Sequence, residues 1–214
     1  MDHFQYRDGI LYAEDVAIPD IAAAVGTPFY CYSTATMTRH YQVLAGSLEG
    51  TGARICYAVK ANSNQAVIRT MVELGAGADV ISGGELQRAM AAGATADSIV
   101  FAGPGKTRDE LAQALAVDIY QFNVESEPEL RLLSAVASEM GKVAPVSIRV
   151  NPDVDAGTHE KITTGRKQNK FGIPIDRAMD IFDLGASLPG LAMLGVAIHI
   201  GSQIPDLAPF EEAF

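Results

Sequence analysis

From residue 54 onward, apolar and polar positions follow two alternating rhythms. Short apolar runs at 54–59, 78–82, 98–103, 119–124, 145–150 and 195–201 lack the one-in-two polar alternation of a half-exposed strand. They read as parallel strands buried on both faces. Between them the apolar residues recur at helical spacing. In 64–75 they are Val67, Ile68, Met71, Val72 and Leu74; 84–93 ends on Gly93, and 108–116, 127–141 and 176–188 follow. Ser126, before Glu127-Pro128, is the natural N-cap of the fourth of these, with proline in its first turn. The first four strand-to-strand spacings are short, roughly 20 to 25 residues, the rhythm of consecutive βα units.

Such a run forms either an open doubly wound sheet or a (β/α)8 barrel. An open sheet usually carries a glycine-rich phosphate turn after its first strand. Here that strand is followed by Lys60-Ala61-Asn62-Ser63-Asn64, without a glycine. The expectation is therefore a TIM-type barrel, in which functional residues come from the C-terminal ends of several strands. Only six of the eight strands are found, so the barrel is incomplete in this chain.

The first residues follow another pattern. Residues 4–12 predict a strand pair turned at Asp8-Gly9. A short helix is expected at 18–25, an aromatic strand at Pro28-Phe29-Tyr30-Cys31-Tyr32, and a helix at 37–48. The division this suggests is an N-terminal segment, 1–34, and a partial barrel, 35–214, whose last residues read as the first turn of a helix. The connection 151–172 is long and polar, with Asp153, Asp155, His159, Lys161, Lys167 and Lys170. Loops of that length inside a compact domain are commonly functional.

Charge narrows the partners. The net charge is −10, which repels phosphate backbones and argues against nucleic acid. The N-terminus shows no basic segment leading into an apolar one. The longest apolar run, 191–200, is too short for a bilayer and contains His199, so no membrane is expected. Cys31 and Cys56 match no zinc or redox spacing, and a cytoplasmic protein with reduced thiols is the default.

Chemistry-bearing residues gather at the predicted strand ends. Lys60 ends the first strand; Asp79 and Ser82 belong to the second, with Glu85 just beyond. Arg149 and Asn151 close the fifth, and His199, Ser202 and Gln203 the sixth. A barrel points all these ends to one face. An amine partly stripped of water at such a place is a nucleophile suited to Schiff-base formation with an aldehyde cofactor. Taken singly, each of these residues is equally a cap or a loop residue.

Several stretches then carry a specific resemblance. Tyr57-Ala58-Val59-Lys60-Ala61-Asn62, Asp79-Val80-Ile81-Ser82-Gly83-Gly84-Glu85-Leu86 and His199-Ile200-Gly201-Ser202-Gln203 resemble motifs of the diaminopimelate decarboxylases. So do Arg149-Val150-Asn151-Pro152-Asp153-Val154-Asp155, Lys170-Phe171-Gly172-Ile173, Tyr6-Arg7-Asp8-Gly9 and Gly26-Thr27-Pro28. These are pyridoxal-phosphate enzymes of the alanine racemase-like barrel class, akin to ornithine decarboxylase. The resemblance implies decarboxylation of meso-2,6-diaminopimelate to L-lysine, with pyridoxal 5'-phosphate as cofactor. It implies that Lys60 holds the cofactor aldehyde, that His199 faces the pyridine ring, and that Ser202 binds the phosphate or cofactor edge. Asp79 and Glu85 are implied near Lys60 and the ring, and Arg149 near the ring or its phenolic oxygen.

The same family has a glycine-rich phosphate loop, a Glu-Pro-Gly-Arg segment whose glutamate meets the pyridine nitrogen, and a β domain whose cysteine completes the partner subunit's site. None of these is in this sequence, so the chain alone is expected not to turn over substrate. The resemblance also implies a homodimer and places the N-terminal segment with the β domain. Two alternatives stay open: a carboxynorspermidine-type decarboxylase, and a non-catalytic single-barrel pyridoxal-phosphate-binding protein. Gly103-Pro104-Gly105-Lys106-Thr107 is similar to a phosphate loop, but Val100 stands where that pattern needs its first glycine, and a βα turn with a helix cap is the better reading. Asp153, Asp155 and His159 lack a further ligand at metal spacing, so no metal is expected.

Overall fold

The computed structural model describes residues 2–154, 171–202 and 204–214. Asp8 and Gly9 both take positive φ, 50° and 80°, as a two-residue hairpin turn requires. They join β1 (Phe4–Arg7) to β2 (Ile10–Ala13), and β3 (Val16–Ala17) completes a small antiparallel sheet. Then come α1 (Ile18–Val25) and α2 (Thr34–Ser47). The Glu14 carboxylate accepts from the Ser33 hydroxyl at 2.7 Å and the Ala35 N–H at 2.8 Å, fastening the hairpin to the start of α2.

The aromatic stretch 28–32 is not a strand, contrary to expectation. Tyr30 is 90% exposed. A strand needs a neighbour to pair its backbone, and among the described residues none lies beside this one.

The main body runs β4 (Cys56–Ala58), α3 (Gln65–Glu73), β5 (Gly77–Val80), α4 (Gly83–Ala91), β6 (Ile99–Phe101), α5 (Arg108–Ala116), β7 (Gln121–Val124) and α6 (Glu127–Glu139). It continues with β8 (Ala144–Asn151), β9 (Ile173–Pro174), α7 (Ala178–Ser187), β10 (Leu191–Ile198) and α8 (Ala208–Ala213). The sheet order is β10-β8-β7-β6-β5-β4, all parallel, with the two-residue β9 beside the end of β8. Apart from the two-residue β9, each strand lies next to its neighbour in sequence, with no reversal of order. That is the wall of a barrel; a doubly wound sheet reverses at a switch point. The wall is an open arc with β4 and β10 at its edges.

Burial explains why the strands read as they do. In β5 to β8 most residues are buried, and Phe101 stacks near Phe122 with ring centroids 6.4 Å apart. On the edge strand β10, Val196 stays 64% exposed. The helices between the strands turn an apolar stripe at helical spacing to the sheet: Leu111, Ala114 and Leu115 on α5, and Leu130, Leu133 and Ala137 on α6. At Gly77 a Cβ would meet the Ser98 carbonyl oxygen at 2.2 Å, so β5 and β6 approach this closely only with glycine there.

Each of four βα turns ends in a side-chain cap. Asn64, Ser82, Thr107 and Ser126 accept from backbone N–H groups in the first turns of α3, α4, α5 and α6. Thr107 forms a full capping box with Glu110, so the Gly103–Thr107 stretch is a βα turn with a cap. Among the described residues no helix is long and apolar enough to cross a membrane.

Candidate functional site

The C-terminal ends of the parallel strands open on a cavity of about 520 Å3. Lys60, Asp79, Asn123, Arg149, His199 and Ser202 line it, with apolar walls from Ile81, Pro104, Phe171 and Ile198. Its size and its mix of apolar walls with a few polar groups are those of a small-molecule site. Five of the six residues singled out in the sequence are thus brought together. Glu85 is not among the lining residues.

Lys60 sits in a single 3-10 turn, Val59–Ala61, that continues β4. Val59 is fully buried and anchors the turn, while the lysine itself is exposed. The desolvation expected from sequence is therefore not supplied by the described residues. β4 is the edge strand, and only β5 walls it laterally.

Asp79, on β5, pairs in register with Ala58, two residues before Lys60. Its Oδ1 is buried without a hydrogen-bond partner among the described residues. Burial, abetted by the Glu85 charge, pushes its pKa up to about 6 against the pull of Lys60, Arg149 and Lys106. A folded-state pKa above the unfolded value of 3.8 means the native chain holds this proton longer. Its stabilising effect is thus present below pH 3.8 and lost as pH rises through about 6. Replacing Asp79 with asparagine is expected to raise the melting temperature at pH 7–8 and to flatten its fall between pH 4 and 6. Melts across that range check this; an unchanged slope would show that Asp79 does not titrate there.

Ser82 lies two residues past the end of β5 rather than on it, as the N-cap of α4. The Glu85 N–H donates to its hydroxyl at 3.2 Å, and the Ile81 N–H donates to the Glu85 carboxylate at 2.8 Å. Glu85 thereby shapes the β5–α4 turn and reaches the cavity through its charge on Asp79.

Arg149 is held on both sides. Its Nη1 donates to Glu125 Oε1 at 2.7 Å, and its guanidinium carbon lies 5.9 Å from the Phe171 ring centroid. Gly172, at φ 83°, passes so close that a Cβ would stand 3.3 Å from the Arg149 carbonyl oxygen. His199 follows β10 directly. Burial, then the Arg149 and Lys60 charges, lower its pKa, so it stays a neutral imidazole at neutral pH. Asp155, His159, Lys161, Lys167, Lys170 and Gln203 lie outside the described residues.

Two residues at the floor of the site escaped the sequence reading. Glu125, one residue past β7, is the buried partner of Arg149. Lys106, set aside with its loop, donates to the carbonyls of Gly103 and Asn123, each at 2.7 Å, and to Glu129 at 2.6 Å. The available signal for Glu125 was its place just past a strand end, where a barrel puts its functional residues.

Comparison with known proteins shows the family to which the chain is similar. Residues 17–214 match the family described as pyridoxal-dependent decarboxylase, pyridoxal binding domain. The chain is 53% identical over 214 residues to a diaminopimelate decarboxylase of Pseudomonas fluorescens, covering all of this chain and 51% of that protein. It is 51% identical over 214 residues to one of Vibrio cholerae, again covering 51% of it. A crystal structure of diaminopimelate decarboxylase from M. jannaschii, in complex with L-lysine, superposes with a TM-score of 0.88 at 36% identity, over 99% of this chain and 50% of that one. The chain spans about half the length of the curated relatives it matches.

Proposed function

The chain belongs to the pyridoxal-dependent decarboxylases, and from that membership we propose that it builds the lysine-bearing part of a site that decarboxylates meso-2,6-diaminopimelate to L-lysine. The observation that carries this reading is the convergence of Lys60, Asp79, Arg149, His199 and Ser202 on one cavity at the strand ends. The donor set fits pyridoxal phosphate: an accessible primary amine for the aldehyde, a neutral aromatic face on His199, and Arg149 and Ser202 as donors to oxyanions. The buried Asp79 Oδ1 beside Lys60 adds a polar atom that has no hydrogen-bond partner among the described residues. When bound, the cofactor supplies an electron-poor ring that accepts the electron pair left as the substrate carboxylate departs as carbon dioxide.

The chain's own residues then have these roles. Lys60 would hold the cofactor aldehyde through its amine. Asp79, titrating near neutrality, can hold or return a proton close to Lys60. His199 presents an uncharged face, so it adds no cation beside Arg149 and Lys60. Arg149 offers its guanidinium to an oxyanion in the cavity, and the Ser202 hydroxyl donates to another. Residues 1–34 belong with a β domain and 35–214 form part of the barrel. The working protein is a cytoplasmic homodimer that takes a small amino acid.

Incubation with pyridoxal phosphate, borohydride reduction and peptide mass analysis is expected to place the adduct on Lys60. Reduction scattered over surface lysines would sink the proposed site. In a substrate panel run on the full-length protein, carbon dioxide and lysine are expected from diaminopimelate. Release from carboxynorspermidine alone would reassign the substrate and leave the site standing.

A further inference from the structure

Resting on that reading of the cavity, we propose that Glu125 is a positioning residue that aims the Arg149 guanidinium at an oxyanion of the bound cofactor or substrate. Glu125 itself does not line the cavity; Arg149 does. The contact between them is single-pointed, Nη1 to Oε1 at 2.7 Å. An arginine that meets a carboxylate for stability alone usually engages it with two parallel N–H groups. Here the other guanidinium nitrogens have no hydrogen-bond partner within the described residues, and Phe171 covers the group. The pair is buried, with side-chain exposures of 13% for Arg149 and 3% for Glu125, so the guanidinium has little freedom to turn elsewhere.

Glu125 is in turn held in place. Its backbone N–H donates to Glu129 Oε2 at 3.4 Å, and Glu129 pairs with Lys106, which bonds the carbonyls of Gly103 and Asn123. The line has a cation at each end, Arg149 and Lys106, with the carboxylates Glu125 and Glu129 between them. It links the ends of β6, β7 and β8, so Glu125 stands on a fixed floor. Oε2 of Glu125 is buried without a hydrogen-bond partner among the described residues, which costs stability and is tolerated when a site needs the group.

The test is a double-mutant cycle on the intact protein with Glu125→Gln, Arg149→Gln and both together. Glutamine keeps the shape of Glu125 and removes its charge, so folding is retained; melting curves verify it. Cofactor affinity is read by absorbance titration and substrate by KM. Glu125→Gln alone is expected to weaken one of them about tenfold, the scale of one charge-assisted hydrogen bond. In the Arg149→Gln background the same change should add almost nothing, because Glu125 acts only through Arg149. A weakened cofactor Kd assigns the oxyanion to the cofactor; an unchanged Kd with a raised KM assigns it to the substrate. Additive losses, or a fall in melting temperature with both binding constants unchanged, would overturn the positioning role while leaving Lys60 and its cofactor in place. Failure of the unmutated protein to bind pyridoxal phosphate would overturn both readings.

Discussion

In the full-length protein, Lys60→Ala is expected to lower turnover by a factor on the order of 10^3 or more, the scale on which loss of a covalent or proton-moving group acts. The effect is large because, among the described residues, no second lysine lines the cavity. Lys106, also at this end of the sheet, is buried in an ion pair and donates to two carbonyls, so it cannot reach a ligand. Arg149 is fixed on Glu125 and is no nucleophile. Structure should survive the change: Lys60 is exposed, in a turn held by the buried Val59. The expected result is an unchanged melting curve, no borohydride-trapped adduct and no carbon dioxide release. A Lys60→Arg control should behave alike, since it keeps the charge and loses the primary amine. Turnover in Lys60→Ala within tenfold of the unmutated protein would show that Lys60 is not the cofactor lysine.

What the sequence reveals and what it hides divide along a physical line. The βα rhythm was legible because strands β5 to β8 are covered on both faces and so appear as continuous apolar runs. Lys60 was legible because a cation directly after such a run has nowhere to go except the strand end. Ser126 and the Gly103–Thr107 turn were legible as caps because capping is set by a few consecutive residues. The aromatic stretch 28–32 was misread because strand formation depends on a partner that local composition does not reveal. β9 was missed because two residues carry no period. Glu125 and Lys106 were missed for a third reason. Their partners Arg149 and Glu129 lie 24 and 23 residues away, and only the fold brings them together. Neighbouring Glu127 and Glu129 also make Glu125 look like one more acidic residue at a helix start.

Lys106→Met is expected to lower the unfolding free energy by about 3–5 kcal/mol, a large share of a typical domain's stability. Lys106 and Glu129 show side-chain exposures of only 1% and 7%. Removing the cation strands a carboxylate in the interior and takes the donor from the carbonyls of Gly103 and Asn123. The Glu129 pKa is already raised by burial, against the opposing pull of Lys106. Without Lys106 it rises further, so native Glu129 takes a proton more readily. The sign follows: a raised carboxylate pKa leaves its stabilising share intact at low pH and loses it as pH rises. The deficit of Lys106→Met should therefore be smallest near the ordinary carboxylate value of 4.5 and should grow toward pH 8. Lys106→Met with Glu129→Leu removes the stranded charge but still leaves two carbonyls without donors. It should recover only part of the loss, about 1–3 kcal/mol remaining for each unsatisfied group. Denaturant melts at several pH values separate these contributions. A single variant within 1 kcal/mol of the unmutated protein would mean water reaches the pair. A double variant as stable as the unmutated protein would mean the carbonyls find other donors. Because Glu129 also supports the backbone of Glu125, cofactor affinity should weaken in Lys106→Met at denaturant concentrations where the fold is still intact. Stability and cofactor binding then fail in sequence, as they should if these βα turns at the strand ends hold the site in place.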